Sequence, residues 1–367
     1  YHRGMRFFLA AALFAAALPA QAEGLFRMRL FTEPVSFDWA HKRTAVEIVL
    51  IRNLMEGLVR VGPTFEPEAA AALNWESLDD GARLVFELRV GARWSDGKPL
   101  LAEDFIRAWR RLLEPAEKSE FAEILFPVKG ARDYREGRSR DFSTVGLKAL
   151  TPRKLEITLT RPNPQFVTLL QHVSLLPIRE ETARLGHEGW SRVGKLLTNG
   201  PYLYKKPLAS GKGFVLEQNR HYGGESPGPS LVELVIEPSH EEAMRLLVRG
   251  KFDLVFQASA ADVAAATARE PGRPAIVHVR EFPALNTAYL AFNMRRGHEL
   301  APELRAVIGS ALDRKRVVET LDGPFEPTLS FVPNILLGTA TVAAPTNAAP
   351  ASGIEAARAL KRPLKLL

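Results

Sequence analysis

The amino-acid sequence predicts an α/β fold, and three observations carry that expectation. Strand-like and helix-like patterns alternate along the chain instead of segregating. The strand candidates show period-2 alternation, as in "LVFELRV" (Leu84–Val90), where Leu84, Phe86 and Leu88 share one face. The helix candidates repeat at three and four residues. In "AEDFIRAWRRLL", Phe105, Ala108, Trp109 and Leu112 share a side while Glu103 and Asp104 stand at the positive end of the dipole. With 367 residues, 46% hydrophobic and 25% charged, the chain has ordinary globular composition and length for two or three domains.

Taken in order, the first element is one to remove. After Met5-Arg6 the run Phe7–Leu18 is apolar but too short to span a bilayer, and Ala20-Gln21-Ala22 follows; this predicts a secretory signal peptide over residues 1–22, cut after Ala22. Tyr1 to Gly4 fit no signal pattern and read as translation from upstream of the start. The chain has no cysteine, so neither a disulfide framework nor a lipidated thiol is expected, and a soluble periplasmic product follows. No other apolar run approaches eighteen residues.

"FRMRLF" then reads as a strand. Thr44 to Glu56 reads as a helix ended by Gly57. After the strand at Leu84–Val90, Asp96-Gly97 is a turn dipeptide, because Gly reaches positive φ and Asp bonds its own backbone. The helix from Ala102 comes next, then strands in "LEITLT" (Leu155–Thr160) and "LVELVIEP". "EEAMRLLVRGKFDLVF" is a helix closed by Gly250 that runs into a strand. "AIVHVREF" and "AYLAFNM" read as strands, and Pro302 to Leu321 as one helix with Leu304, Ile308, Ala311 and Leu312 along a side. Gly338 to Gly353 is linker-like, and "RPLKLL" looks like the start of an element.

Charge and motifs exclude several functions. The formal charge of +7 falls to about +5 without Arg3 and Arg6, a weak tilt toward anionic partners. Lys205-Lys206 and Arg314-Lys315-Arg316 are short clusters without interleaved aromatics, so no nucleic-acid partner is expected. The eight histidines include no pair at metal-ligand spacing. "GWSRVGKL" places Gly189, Gly194 and Lys195 like a phosphate loop, but Leu196 stands where a hydroxyl would hold magnesium. Gly211-Lys212-Gly213 begins a dinucleotide fingerprint that fails at Leu216. No nucleophile elbow or triad spacing is present. The expectation is a binding protein without cofactor, not an enzyme.

Five stretches then carry a resemblance. "ARWSDGKPLLAEDFIRAWRRLLEP", "VGLKALTPRKLEITLTRPNPQFVTLL", "TNGPYLY", "LAFNMRRG" and "RAVIGSALDRKRVV", in this order between about Leu30 and Phe331, resemble the substrate-binding proteins of oligopeptide and dipeptide ABC importers, solute-binding family 5. The resemblance implies a two-lobed periplasmic binding protein fold of type II, with the extra subdomain of the peptide-binding cluster. It implies a first lobe over 23–258 with an inserted subdomain at about 45–165, the start of a second lobe at 259–337, and a tail over 338–367. A short peptide ligand and an inner-membrane ABC permease are the implied partners, and a monomer the implied state. Family members continue well past residue 367, which implies an incomplete second lobe, exposed apolar surface and weak peptide binding by the chain as given. Where the family has a threonine cap, Leu101 stands; its side chain accepts no amide, a loss of about 1 kcal/mol.

The resemblance also nominates site residues. An extended peptide held by its main chain needs strand edges and roomy pockets. The first strand and its exit place Glu33, Val35 and Phe37 beside the ligand, although Val35 and Phe37 also fit alternating core. Phe121 and His172 fall at family positions near the ligand, and both also suit plain packing. Asn199, in the Asn-Gly-Pro-Tyr corner, is hinge-proximal in the family and equally fit to tie down its turn. Tyr289 and Asn293 belong to the strand that faces the peptide. Trp94 to Gly97 reads as a strand-turn-helix signature, with Trp94 in the core or, as the alternative, in the cleft wall. Alternatives are the same fold binding a nickel chelate, haem, oligosaccharide or opine, and an exported hydrolase.

Overall fold

The computed structural model describes residues 24–41, 43–225, 228–256, 259–267, 277–280, 287–289, 291–292, 302–321, 325–328 and 330–332. The signal segment with its cut after Ala22, the linker-like stretch, "RPLKLL" and Asn293 lie outside them. The chain divides into two compact units, Tyr1–Val255 and Phe256–Leu367.

The first unit contains two four-stranded sheets. In one, the order is β1 (Leu25–Leu30), β10 (Leu231–Ile236), β9 (Gly213–Gln218), β8 (Tyr202–Pro207), with β1 parallel to β10 and the remaining pairs antiparallel. β8 is the rim strand; it carries a bulge between Tyr204 and Lys206, ends at Pro207, and exposes Lys205 and Lys206. The other sheet is antiparallel throughout, ordered β4 (Ala72–Leu78), β5 (Arg83–Leu88), β7 (Lys154–Thr158), β6 (Leu147–Thr151). A small hairpin joins β2 (Val59–Val61) to β3 (Pro67–Ala69).

Alternation in β5 and β7 buries Leu84, Phe86, Leu88, Leu155 and Ile157, and helix α2 (Ala102–Leu113) covers that face with Phe105, Trp109 and Leu112. Each fully buried large side chain stabilises the unit by about 1.5–3 kcal/mol. Trp94 is buried as expected, and its indole N–H donates to Asp104 Oδ2 at 3.0 Å. Gly97 has φ +85°, and Asp96 Oδ1 accepts from the Lys98 amide, so the turn forms as its sequence dictates.

Helix α1 (Ala45–Leu54) starts on a capping box, in which Thr44 accepts from the Glu47 amide and Glu47 reaches back to Thr44. It stops two residues before the predicted end, because Met55 is extended and the Gly200 amide takes the Leu54 carbonyl at 2.9 Å. The loss expected at Leu101 does not arise. The Pro152 carbonyl accepts the Ala102 amide at 2.9 Å, the Leu101 carbonyl accepts that of Asp104, and the Asp104 carboxylate accepts that of Leu101.

Four short helices follow: α3 (Ala131–Arg135), α4 (Phe166–Leu169), α5 (Glu180–Ala183) and α6 (His187–Trp190). α7 (His240–Val248) is capped by Ser239. The strand expected after Gly250 is reduced to a single bridge between Met28 and Leu254.

The second unit holds α8 (Ala260–Thr267), α9 (Pro302–Ala311) and α10 (Arg314–Glu319). The single helix expected over Pro302 to Leu321 is two, because the Asp313 carboxylate accepts the Arg316 amide at 3.1 Å and starts a new helix there. Residues 277–280, 287–289 and 291–292, expected in strands, are in neither helix nor strand. Period-2 alternation supplies a face but not a ladder partner, and no described residue pairs with these. No helix among the described residues is long and apolar enough to cross a membrane.

Candidate functional site

The exit of β1 is an irregular segment tied down from several sides. Glu33 and Val35 are exposed, Val35 to 81%, while Phe37 points into the core at 2%. Glu47, buried, holds the segment from below: its Oε1 accepts the amides of Val35 and Ser36 at 2.9 and 3.0 Å, and its Oε2 accepts the Thr44 amide and hydroxyl. Burial pushes this carboxyl up, but three backbone amides and the Thr44 hydroxyl outweigh it and hold the pKa below the usual glutamate range. The Phe37 amide donates to the Ser191 carbonyl at 2.6 Å, and the Ser36 and Ser191 hydroxyls meet at 3.1 Å.

One turn on, fully buried Asp38 receives a two-pronged bond from Arg111 of α2, at 2.8 and 2.6 Å. Arg111 also bonds Glu117, whose carboxylate lies 3.0 Å from His41 Nε2. Asp38, His41 and Glu117 have potential metal-ligand atoms within 4.8 Å of one another, but the guanidinium already bridges the two carboxylates. The Trp39 indole N–H donates to the Leu176 carbonyl, and its ring meets Trp190 edge-on at 5.0 Å.

Phe121 and His172 are brought together, with ring centroids 4.9 Å apart and both half-buried. The Ser119 hydroxyl bonds both the Phe121 amide and the Ala40 carbonyl, which ties this pair to the β1 exit. His172 Nδ1 accepts the Ser174 amide at 3.2 Å. Burial first, and then the Arg52 charge, lowers its pKa, so the imidazole is neutral at physiological pH.

Asn199 stands apart from this group. Its side-chain oxygen accepts the Glu56 amide at 3.0 Å and its nitrogen donates to the Glu56 carbonyl at 2.9 Å, so it closes the end of α1. The Glu56 carboxylate in turn bonds Arg89 and the Tyr222 hydroxyl. Burial raises the Glu56 pKa against the pull of Arg89 and Tyr222, and burial with the Glu56 charge pushes Tyr222 up to about 12. In the second unit, Tyr289 is 64% exposed and meets the Phe331 ring at 4.9 Å.

The resemblance named exposed Glu33 and Val35 together with buried Phe37 and Asn199, and missed Glu47, Asp38, Arg111 and Ser191. Glu47 had a legible signal in Thr44-x-x-Glu47, a capping-box spacing. Asp38, Arg111 and Ser191 had none, since their partners lie 73 and 155 residues away.

The chain matches the model of the bacterial extracellular solute-binding proteins, family 5 Middle, over residues 66–362. It is 30% identical over 318 residues to the periplasmic murein peptide-binding protein MppA of Escherichia coli, covering 83% of this chain and 56% of that one. It is 29% identical to the probable deoxycholate-binding periplasmic protein YgiS of the same organism, covering 88% of this chain and 60% of that one. The solved structure of the E. coli murein tripeptide binding protein MppA superposes with a TM-score of 0.68 at 27% identity, over 81% of this chain and 57% of that one. The chain thus spans less than two thirds of the length of these relatives. Its mixed α/β fold is that of the solved peptide-binding proteins, as the sequence predicted, and the chain belongs to the bacterial extracellular solute-binding proteins of family 5.

Proposed function

We propose that the chain captures short peptides of varied sequence in the periplasm, after cleavage behind Ala22, and delivers them as a monomer to an inner-membrane ABC permease. The carrying observation is the β1 exit: an irregular segment that presents the exposed residues Glu33 and Val35 and is fixed from beneath by Glu47 and by the Asp38–Arg111 pair. A rigid main-chain edge gives affinity without demanding particular side chains.

On this reading Glu33 and Val35 touch the peptide, Phe37 and Asn199 hold the scaffold, and Phe121 and His172 line an adjoining pocket wall. Tyr289 and Asn293 are further peptide contacts. The proposed first lobe runs over 23–258, with a subdomain at about 45–165, and the start of the second over 259–337, followed by a tail over 338–367. The names of MppA and of several oligopeptide-binding relatives support peptide as the ligand class.

A second reading has one specific support, the similarity to a relative named for deoxycholate binding. Mass spectrometry of small molecules that copurify with the chain, followed by calorimetry with tripeptides and with deoxycholate, separates the two. Peptide bound with broad side-chain tolerance, and weakly by the chain as given, is expected; deoxycholate binding with no peptide binding overturns the proposal.

A further inference from the structure

Two separate demands of the fold set a reactive pair side by side. Residue 200 is held to glycine, because a Cβ there would lie 2.7 Å from the Leu54 carbonyl carbon and from the Met55 nitrogen. Residue 199 needs a donor and an acceptor on one planar group, because it bonds both the carbonyl and the amide of Glu56. Asparagine followed by glycine is the result, and this step occurs once in the chain. It is also the step most open to self-modification, since no Cβ on the second residue shields the nitrogen that attacks.

The reaction needs no partner but water. The Gly200 nitrogen attacks Asn199 Cγ, the Cγ–Nδ2 bond breaks, and Nδ2 leaves as ammonia with the Gly200 proton, closing a five-membered succinimide. One water then opens the ring, either at the new Cγ–N bond, which leaves aspartate, or at the former peptide bond, which leaves isoaspartate. In the fold both reacting groups are engaged elsewhere. The Gly200 N–H donates to the Leu54 carbonyl at 2.9 Å, while Asn199 accepts the Glu56 amide at 3.0 Å and donates to the Glu56 carbonyl at 2.9 Å. Both residues are buried. Glu56 is itself anchored, its carboxylate bonding Arg89 and the Tyr222 hydroxyl.

We propose that Asn199-Gly200 is a latent modification site, a one-way latch on the end of α1 that is inert while closed and deamidates once that end opens. Cyclisation requires the bonds to Leu54 and to both main-chain groups of Glu56 to break together. The product then lacks one donor. An aspartate at 199 still accepts the Glu56 amide but has no N–H for the Glu56 carbonyl, so two oxygens face each other in a buried site. Isoaspartate also inserts a methylene into the main chain where the approach of Gly200 to Leu54 and Met55 leaves no room.

The test incubates the full chain at neutral pH beside a free peptide of residues 197–202, and follows deamidation by mass spectrometry after digestion. Amide hydrogen exchange at Gly200 reports the same opening, since its N–H must leave the Leu54 carbonyl in both processes. Asn199 is expected to deamidate more slowly in the chain than in the peptide, by at least the factor that protects Gly200 from exchange. Glu56→Ala frees the anchor without touching the reacting pair and should reduce both factors by about tenfold. Tyr222→Phe frees it more gently, by about threefold, and serves if Glu56→Ala does not fold. Asn199→Asp, which reproduces one product, should exchange at Gly200 about tenfold faster than the wild type. Deamidation retarded less than Gly200 exchange overturns the inference, because the reaction would then proceed without opening. Unchanged factors in the anchor variants, or wild-type exchange at Gly200 in Asn199→Asp, overturn it as well.

Discussion

Asn199 shows how much one neutral side chain can hold. Its amide bonds both main-chain groups of Glu56, so Asn199→Ala leaves a buried donor and a buried acceptor unpaired and should lower stability by about 2–4 kcal/mol. Urea unfolding followed by tryptophan fluorescence checks this. Glu47 and Glu56 make a contrasting pair in pH. Glu47, with its pKa lowered in the fold, stabilises fully above the ordinary glutamate value of 4.5 and loses that contribution as pH falls through its folded value. Glu56, with its pKa raised, contributes below 4.5 and loses that contribution as pH rises through its folded value. Urea midpoints against pH should therefore flatten on the acid side of 4.5 in Glu47→Gln, and just above it in Glu56→Gln. The same direction of change in both variants would contradict the opposite pKa shifts.

At the scale of elements, ends matter more than middles. α1 ends where Gly200 comes so close that an added Cβ would lie 2.7 Å from the Leu54 carbonyl carbon and from the Met55 nitrogen. Both are backbone atoms with nowhere to go, so Gly200→Ala should cost about 1–3 kcal/mol and weaken protection of the last turn of α1 in hydrogen exchange. α2 begins on Asp104, which receives the Leu101 amide, the Trp94 indole and Arg107. Asp104→Ala removes all three partners and should cost about 2–4 kcal/mol. Asp104→Asn keeps the shape and one acceptor oxygen and should cost less; equal losses in the two variants would show that the negative charge and the second acceptor oxygen, not the shape, hold the element.

Across the whole molecule, what was legible in the sequence is what depends on neighbours a few residues apart. β5, β7, β10, α2 and the Asp96-Gly97 turn follow from period and turn chemistry, and Thr44-x-x-Glu47 has the spacing of the capping box that starts α1. The break at Asp313 was hidden, because an aspartate inside a helical pattern reads as an exposed polar residue until its side chain turns back to cap. The ties that shape the candidate site cross long stretches of chain: Arg111 to Asp38 over 73 residues and Asn199 to Glu56 over 143. No local pattern encodes such pairs, so Asp38 and Arg111 went unnamed and Asn199 was read only as a tie for its own turn, while Glu33 and Val35 were named by the family resemblance. All five tryptophans, at positions 39, 75, 94, 109 and 190, belong to the first unit, so fluorescence unfolding curves report on the unit in which these substitutions lie.

The rim strand β8 has a bearing on handling the protein. Its bulge, its two exposed lysines and its closing proline are three separate obstacles to another chain docking along it. A preparation concentrated for months of storage should stay clear at this edge. Replacing Lys205 and Lys206 by threonine and Pro207 by valine would turn the rim into a seed for turbidity, visible by light scattering well before any loss of the fold.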